Sequence, residues 1–526
     1  MKVLISDKIS IKGVEVLKSA PGIEVDIKTD LTPDDLKNTI KDYDGLIIRS
    51  GTQVTSDIIE AAENLKVIGR AGIGVDNIDV DEASKRGIAV MNTPGGNVIT
   101  TAEHTIAMMF SLSRKIPQAT ESMRQGKWEK KKFEGTELYN KTLGILGVGK
   151  IGSIVADRAL GLKMKVIAYD PFLTEETANK LGIELVSLDE LYQRADFISV
   201  HVPLTSDTKG MIDAEAFKKM KDGVRVINCA RGGIINEDDL TKAIKSGKVA
   251  GAALDVYDKE PPDKKPLFSL DNAIFTPHLG ASTAEAQENV AIDIAEQIVD
   301  FLSKGIIKNA INVPSVSPEV LATIGPYISL AEKLGSLHGQ LSTASIEEIH
   351  VEYSGDVVEY DVAPITVAAI KGILHHILDQ YVNYVNAPLI AREREIKVVE
   401  VKSSRPIDFA TSITIKLKSE GQETLIEGAI FGKNDARIVR INKFFLDAIP
   451  EGYILLLNNN DEPGVIGKVG TLLGEKNINI SRLHLGREAI GGEAVSLWSI
   501  DTSLSKDVLD SILKLPNIIS AKLVKL

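Results

Sequence analysis

Arg231, Glu260 and His278 are the side chains whose types and surroundings could do chemistry together. Arg231 stands in Asn228-Cys229-Ala230-Arg231-Gly232-Gly233, directly after a short apolar run. A guanidinium there can grip a carboxylate with two parallel hydrogen bonds, and flanking glycines let backbone approach a ligand. An ordinary turn with a surface arginine has the same composition. Glu260 follows Leu254-Asp255-Val256-Tyr257, and His278 sits in Thr276-Pro277-His278-Leu279-Gly280, again just past an apolar run. A lone histidine is more often structural than catalytic. With a carboxylate beside it the protonated ring is favoured, and such a ring can donate a proton to a carbonyl oxygen.

These groups need a scaffold, and the stretch 142–170 supplies its signature. An apolar run is followed by Gly147, Gly149 and Gly152 in G-x-G-x-x-G spacing, then a helical pattern (Ile154, Val155, Ala159, Leu160), then a second apolar run ending at Asp170. That is the order of a dinucleotide fold: strand, tight turn, helix N-terminus under the pyrophosphate, second strand, acid for the ribose hydroxyls. A carboxylate at 170 repels a 2′-phosphate, so NAD is expected rather than NADP. Glycines at this spacing also mark plain turns and helix caps; strand, helix and acid together carry the reading.

The 526 residues allow several domains. Composition is that of an ordinary globular chain, 44% hydrophobic and 25% charged, and a net charge of −12 offers no footprint for nucleic acid or an anionic membrane. The single cysteine, Cys229, excludes an internal disulfide framework and any cysteine-cluster metal site, and no metal is expected. No apolar run approaches the length of a membrane span, and MKVLISD reaches an acid too early for a secretory signal, so the chain reads as cytoplasmic.

Residues 1–92 alternate short apolar strands (3–5, 46–48, 67–68, 89–91) with helical stretches, an α/β unit preceding the nucleotide fingerprint. A helix is expected across 97–125, and another at 283–303 that returns the chain to the first unit. Expected boundaries are therefore a discontinuous substrate domain, 1–97 with 282–314; a nucleotide domain, 98–281; a further α+β unit, 315–450, after the linker-like PSVSP at 314–318; and a terminal βαββαβ unit, 451–526. Within 315–450, helices are expected at 324–341 and 364–384. The stretch 433–437 with Arg440 could bind anions or form a solvated basic face.

The motifs GRAGIGVDNID at 69–79, GVGKIG at 147–152, INCARGGIINEDDL at 227–240, LDVYDKEP at 254–261 and TPHLGAST at 276–283 together resemble the D-isomer-specific 2-hydroxyacid dehydrogenase family. The resemblance implies a Rossmann-type parallel-sheet nucleotide domain beside a flavodoxin-like substrate domain. It assigns Arg231 to the substrate carboxylate and carbonyl oxygen, and His278, paired with Glu260, to the proton that moves as hydride leaves for NAD. Cofactor contacts fall on Gly147, Gly149, Lys150, Ile151, Gly152, Asp170, Thr205, Cys229, Ala230, Arg231, Asp255, His278 and Gly280. Hydride transfer needs no thiol nucleophile, so Cys229 reads as a small lining residue.

The tail narrows the substrate. Residues 458–467 with 477–480 look like an ACT domain, a module that commonly pairs edge to edge and binds an amino acid at the interface, although a plain dimerisation unit has the same order. The whole arrangement resembles the long members of the family, which oxidise 3-phospho-D-glycerate to 3-phosphooxypyruvate at the start of the phosphorylated route to serine. Such a substrate carries two anionic groups, and Arg49, with Ser50 and Gly51, and Arg70, with Gly72, are candidates to bind it. L-Serine is the expected effector, at Asn459, Asp461 and Asn479, in a homodimer or homotetramer. The alternatives are a glyoxylate or hydroxypyruvate reductase of the same family, or an NAD-sensing interaction protein.

Overall fold

A computed structural model describes residues 1–342, 345–378, 380–405, 408–419 and 421–526. Lys2–Ile5, Glu24–Ile27, Gly45–Ile48, Val67–Arg70 and Ala89–Met91 form a five-stranded parallel sheet in the order 2-1-3-4-5. Four of these strands are nearly continuous apolar runs because both faces are covered. Val3, Ile5, Ile47, Val67 and Met91 enter one core, while Leu4, Leu46, Ile48, Ile68 and Val90 enter the other. The first core is closed by two helices distant in sequence, Ile11–Ser19 and Ala284–Lys304, through Val14, Leu17, Val290, Ile294 and Ile298. Their backbones touch: a Cβ at Gly13 would lie 2.5 Å from the Ala291 carbonyl oxygen.

Seven parallel strands form the central sheet: Thr142–Leu146, Lys165–Tyr169, Glu184–Leu185, Phe197–Val200, Val224–Asn228, Val249–Leu254 and Ala273–Phe275. Counted along the chain, their order is 3-2-1-4-5-6-7. It reverses between Thr142–Leu146 and Phe197–Val200, which opens a ligand crevice at their carboxyl ends. The helix expected at 97–125 is two helices, Val98–Arg114 and Ile116–Arg124. Lys115 stands between them at φ 52°, a left-handed residue that no α-helix can propagate through, and Pro117 follows.

Beyond residue 317, helices Pro318–Leu341 and Ala363–Ile377 pack on a six-stranded mixed sheet. The expected helix 364–384 stops at Ile377, and position 379 lies outside the described residues. The chain ends in a β-α-β-β-α-β unit whose four antiparallel strands take the ferredoxin-like order 2-3-1-4: Tyr453–Asn460, Ile480–Arg487, Glu493–Ile500 and Ile518–Lys525. One face of that sheet buries Leu455, Leu457 and Trp498 against its own helices. The other face sends Ile454, Leu456, Val495 and Val524 into the core of the preceding unit. No helix among the described residues is long and apolar enough to cross a membrane.

Candidate active site

The glycine turn at the switch point is a cradle that side chains would fill. Gly147 has φ +90°, and a Cβ there would sit 2.8 Å from Val202 and 2.9 Å from the His201 carbonyl oxygen. A Cβ at Gly152 would lie 2.1 Å from the Gly147 carbonyl oxygen, so only glycine lets helix Lys150–Gly161 start this close to the strand. Gly149, the residue before that helix, offers no capping side chain, and a Cβ there would meet nothing within 4 Å. The first-turn N–H groups, beginning at Lys150 and Ile151, are left to bind an anion in open space. Asp170 forms the far lip. Its carboxylate accepts from Val148 N–H at 2.8 Å and Phe172 N–H at 2.9 Å, with lone pairs left for hydroxyl donors. Thr205 belongs to the loop after Phe197–Val200, where its N–H bonds the Thr208 hydroxyl at 2.8 Å. These residues fit a dinucleotide with a pyrophosphate and free ribose hydroxyls.

Arg231, Glu260 and His278 follow on the next three strand ends. Asn228 staples the turn carrying Arg231: its side chain accepts from Ala230 N–H at 3.0 Å and donates to the Arg231 carbonyl at 2.9 Å. His278 Nδ1 lies 2.7 Å from Glu260 Oε2, which leaves Nε2 as the ring nitrogen available for a substrate proton. Burial works to raise the Glu260 carboxyl, but the His278 hydrogen bond and charge and the Tyr257 N–H outweigh it, holding it below the usual carboxylate range. His278 itself has φ +52°, an unfavourable backbone state for a side chain of its size. Asp255 holds it there. Its carbonyl accepts His278 N–H at 2.9 Å, and its fully buried carboxylate accepts from Thr276 Oγ1 (2.6 Å), Leu279 N–H (2.7 Å) and Gly280 N–H (2.8 Å). Burial opposes the Asp255 charge, yet bonds from His104, Thr276 and Leu279 leave it below its ordinary range.

Cys229 is buried beside this cluster, and burial, followed by the charge of Asp255, pushes its thiol up to about 12. Thiolate is the reactive form, so the residue is inert in the fold. Iodoacetamide at about pH 8 is expected to leave the native chain unmodified by mass spectrometry and to label it once in denaturant. Rapid stoichiometric labelling of the native chain would contradict a buried lining role.

The first unit brings two more guanidiniums to the crevice. Asp7 caps the loop after Gly45–Ile48, accepting from Arg49 N–H at 2.6 Å and Thr52 N–H at 3.1 Å. A Cβ at Gly51 would lie 2.6 Å from its carboxylate, and Ser50 lies exposed between. Asn77 donates to the Arg49 and Thr52 carbonyls from the opposite side. Arg70 Nε is buried without a hydrogen-bond partner among the described residues, and a Cβ at Gly72 would strike its Nη1 at 2.3 Å. Burial first, then the Arg231 charge, pushes the Arg70 guanidinium down to about 10; Asp76 and Asp7 pull the other way and Arg49 adds to the repulsion. Arg231 crosses to this loop: its Nε donates to Asp76 at 3.1 Å, and a Cβ at Gly74 would lie 2.0 Å from its Nη2.

Sequence reasoning missed Asp76, His104 and Thr276 as parts of the site. Asp76 and Thr276 were inside quoted motifs but carried no signal of their own, and His104 lies on a helix, 172 residues from the Thr276 it faces at 3.3 Å. Within one copy of the C-terminal unit, the expected effector residues lie at two ends of the sheet. Asn459 pairs across the sheet with Ala494 and so with Arg487, whereas Asn479 adjoins the opposite end, where Tyr453 meets Ile500 and Ile480. Six residues of strand put these ends about 20 Å apart. Asp461 also has a built-in cation, Arg487 at 2.8 Å, and Asn479 donates to Asp501 at 2.8 Å. Arg437, in the stretch considered for anions, is taken up by Asp435 and Asp447.

Comparison with known proteins agrees along the chain. Residues 106–280 match the family model described as D-isomer specific 2-hydroxyacid dehydrogenase, NAD binding domain, and residues 323–442 match the D-3-phosphoglycerate dehydrogenase intervening domain. The D-3-phosphoglycerate dehydrogenase of Synechocystis sp. is 45% identical over 526 residues, all of this chain and 95% of the relative. That of Archaeoglobus fulgidus is 44% identical over the full length of both. Among solved structures, a glyoxylate reductase from Paecilomyes thermophila (TM-score 0.55, 30% identity) covers 61% of this chain and 99% of its own. A D-lactate dehydrogenase from Aquifex aeolicus complexed with NAD and lactic acid (TM-score 0.53, 29% identity) covers 60% and 100%. These two solved structures thus cover about three-fifths of this chain, while the two relatives by sequence span all of it. This NAD-dependent oxidoreductase belongs to the D-3-phosphoglycerate dehydrogenases of the D-isomer-specific 2-hydroxyacid dehydrogenase family.

Proposed function

We propose that the crevice oxidises 3-phospho-D-glycerate to 3-phosphooxypyruvate, the entry step of the phosphorylated route to serine. The observation that carries this is the trio Arg49, Arg70 and Arg231, whose charges converge beyond what Asp76 and Asp7 offset, while Arg70 Nε has no partner among the described residues. Guanidiniums gathered this way are relieved by a ligand with more than one anionic group, and phosphoglycerate carries a carboxylate and a phosphate. NAD supplies the hydride acceptor when bound. His278 Nε2 takes the hydroxyl proton during oxidation and returns it in reduction, while Glu260 at Nδ1 stabilises the charged ring. Arg231 holds the carboxylate and the carbonyl oxygen as it forms. Gly147–Gly152 and Asp170 hold the pyrophosphate and adenosine ribose; Thr205, Cys229, Ala230, Asp255 and Gly280 complete the walls.

In this reading 1–97 with 282–314 is the substrate domain, 98–281 the NAD domain, 315–450 the intervening domain and 451–526 an ACT domain, in a cytoplasmic homodimer or homotetramer. L-Serine acts as a brake at the ACT unit. Because Asn459 and Asp461 lie at the far end of the sheet from Asn479, the effector site takes its two halves from paired copies of the unit. The test is NAD reduction by the full chain with 3-phosphoglycerate, with and without serine. Equal activity on unphosphorylated glycerate would sink the substrate assignment. Serine that neither inhibits nor gives a calorimetric signal would leave the terminal unit as a scaffold only.

A further inference from the structure

Glu237 is a buried carboxylate to which the hydride-transfer scheme gives no role. It is the first residue of helix Glu237–Lys245 and is 5% exposed. A buried charge persists only where its lone pairs are satisfied, and both Glu237 oxygens are spent on one loop. Oε1 accepts from Asp258 N–H at 2.8 Å and Oε2 from Lys265 Nζ at 2.6 Å. Lys265 Nζ also lies 3.7 Å from Asp258 Oδ2, which draws the two ends of the loop together.

That loop carries Glu260. Two residues before it, the peptide joining Tyr257 to Asp258 is held from both sides. Its N–H is the one Glu237 grips, and its carbonyl oxygen would lie 1.8 Å from a Cβ at Gly232, so the Arg231 turn rests directly on it. The Tyr257 N–H then reaches Glu260 Oε1 at 3.2 Å, and the Tyr257 hydroxyl donates to the Thr276 carbonyl at 2.8 Å, two residues before His278. Clamp turn, Glu260 and the His278 loop therefore meet at Tyr257, and Glu237 holds the peptide on its carboxyl side.

We propose that Glu237 is a positioning residue of the hydride-transfer site: by holding the 257–258 peptide it sets Glu260 against His278 at a fixed place relative to the Arg231 turn. The inference rests on reading Glu260 and His278 as the acid/base pair. Glu237→Ala removes both interactions. Glu237→Gln keeps a carbonyl oxygen for Asp258 N–H and loses the charge for Lys265.

The experiment is a double-mutant cycle on the full chain, with kcat and KM for 3-phosphoglycerate and NAD affinity by fluorescence. Displacement of a catalytic group by about an ångström lowers turnover by roughly 100-fold, so Glu237→Ala is expected to lower kcat by about 10- to 100-fold. NAD affinity should stay within about 2-fold, and Glu237→Gln should recover part of the loss. In a Glu260→Ala background, adding Glu237→Ala should cost less than about 3-fold, because the group it positions is already gone. The same loss in both backgrounds would mean that Glu237 acts on general stability and would overturn the proposal, as would wild-type kcat in Glu237→Ala. A Glu260→Ala enzyme with normal kcat would instead refute the acid/base reading itself. Should Glu237→Ala fail to fold, by circular dichroism and thermal melting, the cycle runs with Glu237→Gln on the same criteria.

Discussion

Replacing His278 by alanine is expected to lower kcat by roughly 10²–10⁴-fold, with NAD affinity retained. The magnitude follows from what the ring does and what remains without it. Nδ1 is committed to Glu260 at 2.7 Å, so Nε2 is the nitrogen left to exchange the hydroxyl proton. Arg231 and the glycine turn stay in place, because His278 donates no side-chain bond to either. Its structural work is confined to the pair with Glu260, whose side chains are 44% and 37% exposed, and folding should change little. Glu260 stays ionised across the neutral range, since its carboxyl is held below the usual value; Glu260→Gln should therefore depress kcat at every neutral pH. Steady-state kinetics with NAD fluorescence titration decides the matter. An NAD-sensing protein would keep its ligand response after His278→Ala, whereas an enzyme with undiminished kcat would need a different proton carrier.

The parts of this site that were legible in the sequence are those encoded by local spacing. Gly147, Gly149 and Gly152 announce themselves because the turn, the helix start and the strand lie within a few residues, and close packing there tolerates no Cβ. Arg231, Glu260 and His278 could be picked out because each follows an apolar run of strand length. What was not legible is long-range pairing. Nothing near Asp76 marks it as the partner of Arg231, 155 residues away. Nothing near Glu237 marks it as the holder of Lys265, 28 residues on, since a helix N-terminus rich in acids has its own local explanation. The break at Lys115 was hidden by apolar residues that continue the helical pattern on both sides. Asn459, Asp461 and Asn479 look close in sequence, but the helix between them returns the chain to the opposite end of the sheet. Edge strand Lys397–Ser403 is largely exposed and charged, so its alternation carries little hydrophobic contrast.

Replacing Arg70 by methionine is expected to raise KM for 3-phosphoglycerate by roughly 10- to 100-fold, because a charge-assisted hydrogen bond contributes about 1.5–3 kcal/mol. Methionine keeps the apolar stem that packs in the wall and removes only the head. At Arg70, burial and the charges of Arg231 and Arg49 outweigh the attraction of Asp76 and Asp7, and Nε is buried and unpaired among the described residues, so the melting temperature should change little on its removal. That separates a binding effect from a folding one. NAD affinity should be unchanged, because the glycine turn and Asp170 lie in the other parallel-sheet unit. The decisive comparison is between substrates. If Arg70 meets the phosphate, the variant loses affinity for 3-phosphoglycerate but not for glycerate, and discrimination between the two collapses toward unity. An equal rise in KM for both would move Arg70 to the carboxylate and hydroxyl end, leaving Arg49 as the remaining candidate for the phosphate. No change for either would remove Arg70 from the substrate site, and its buried Nε, unpaired among the described residues, would then need another anion to explain it.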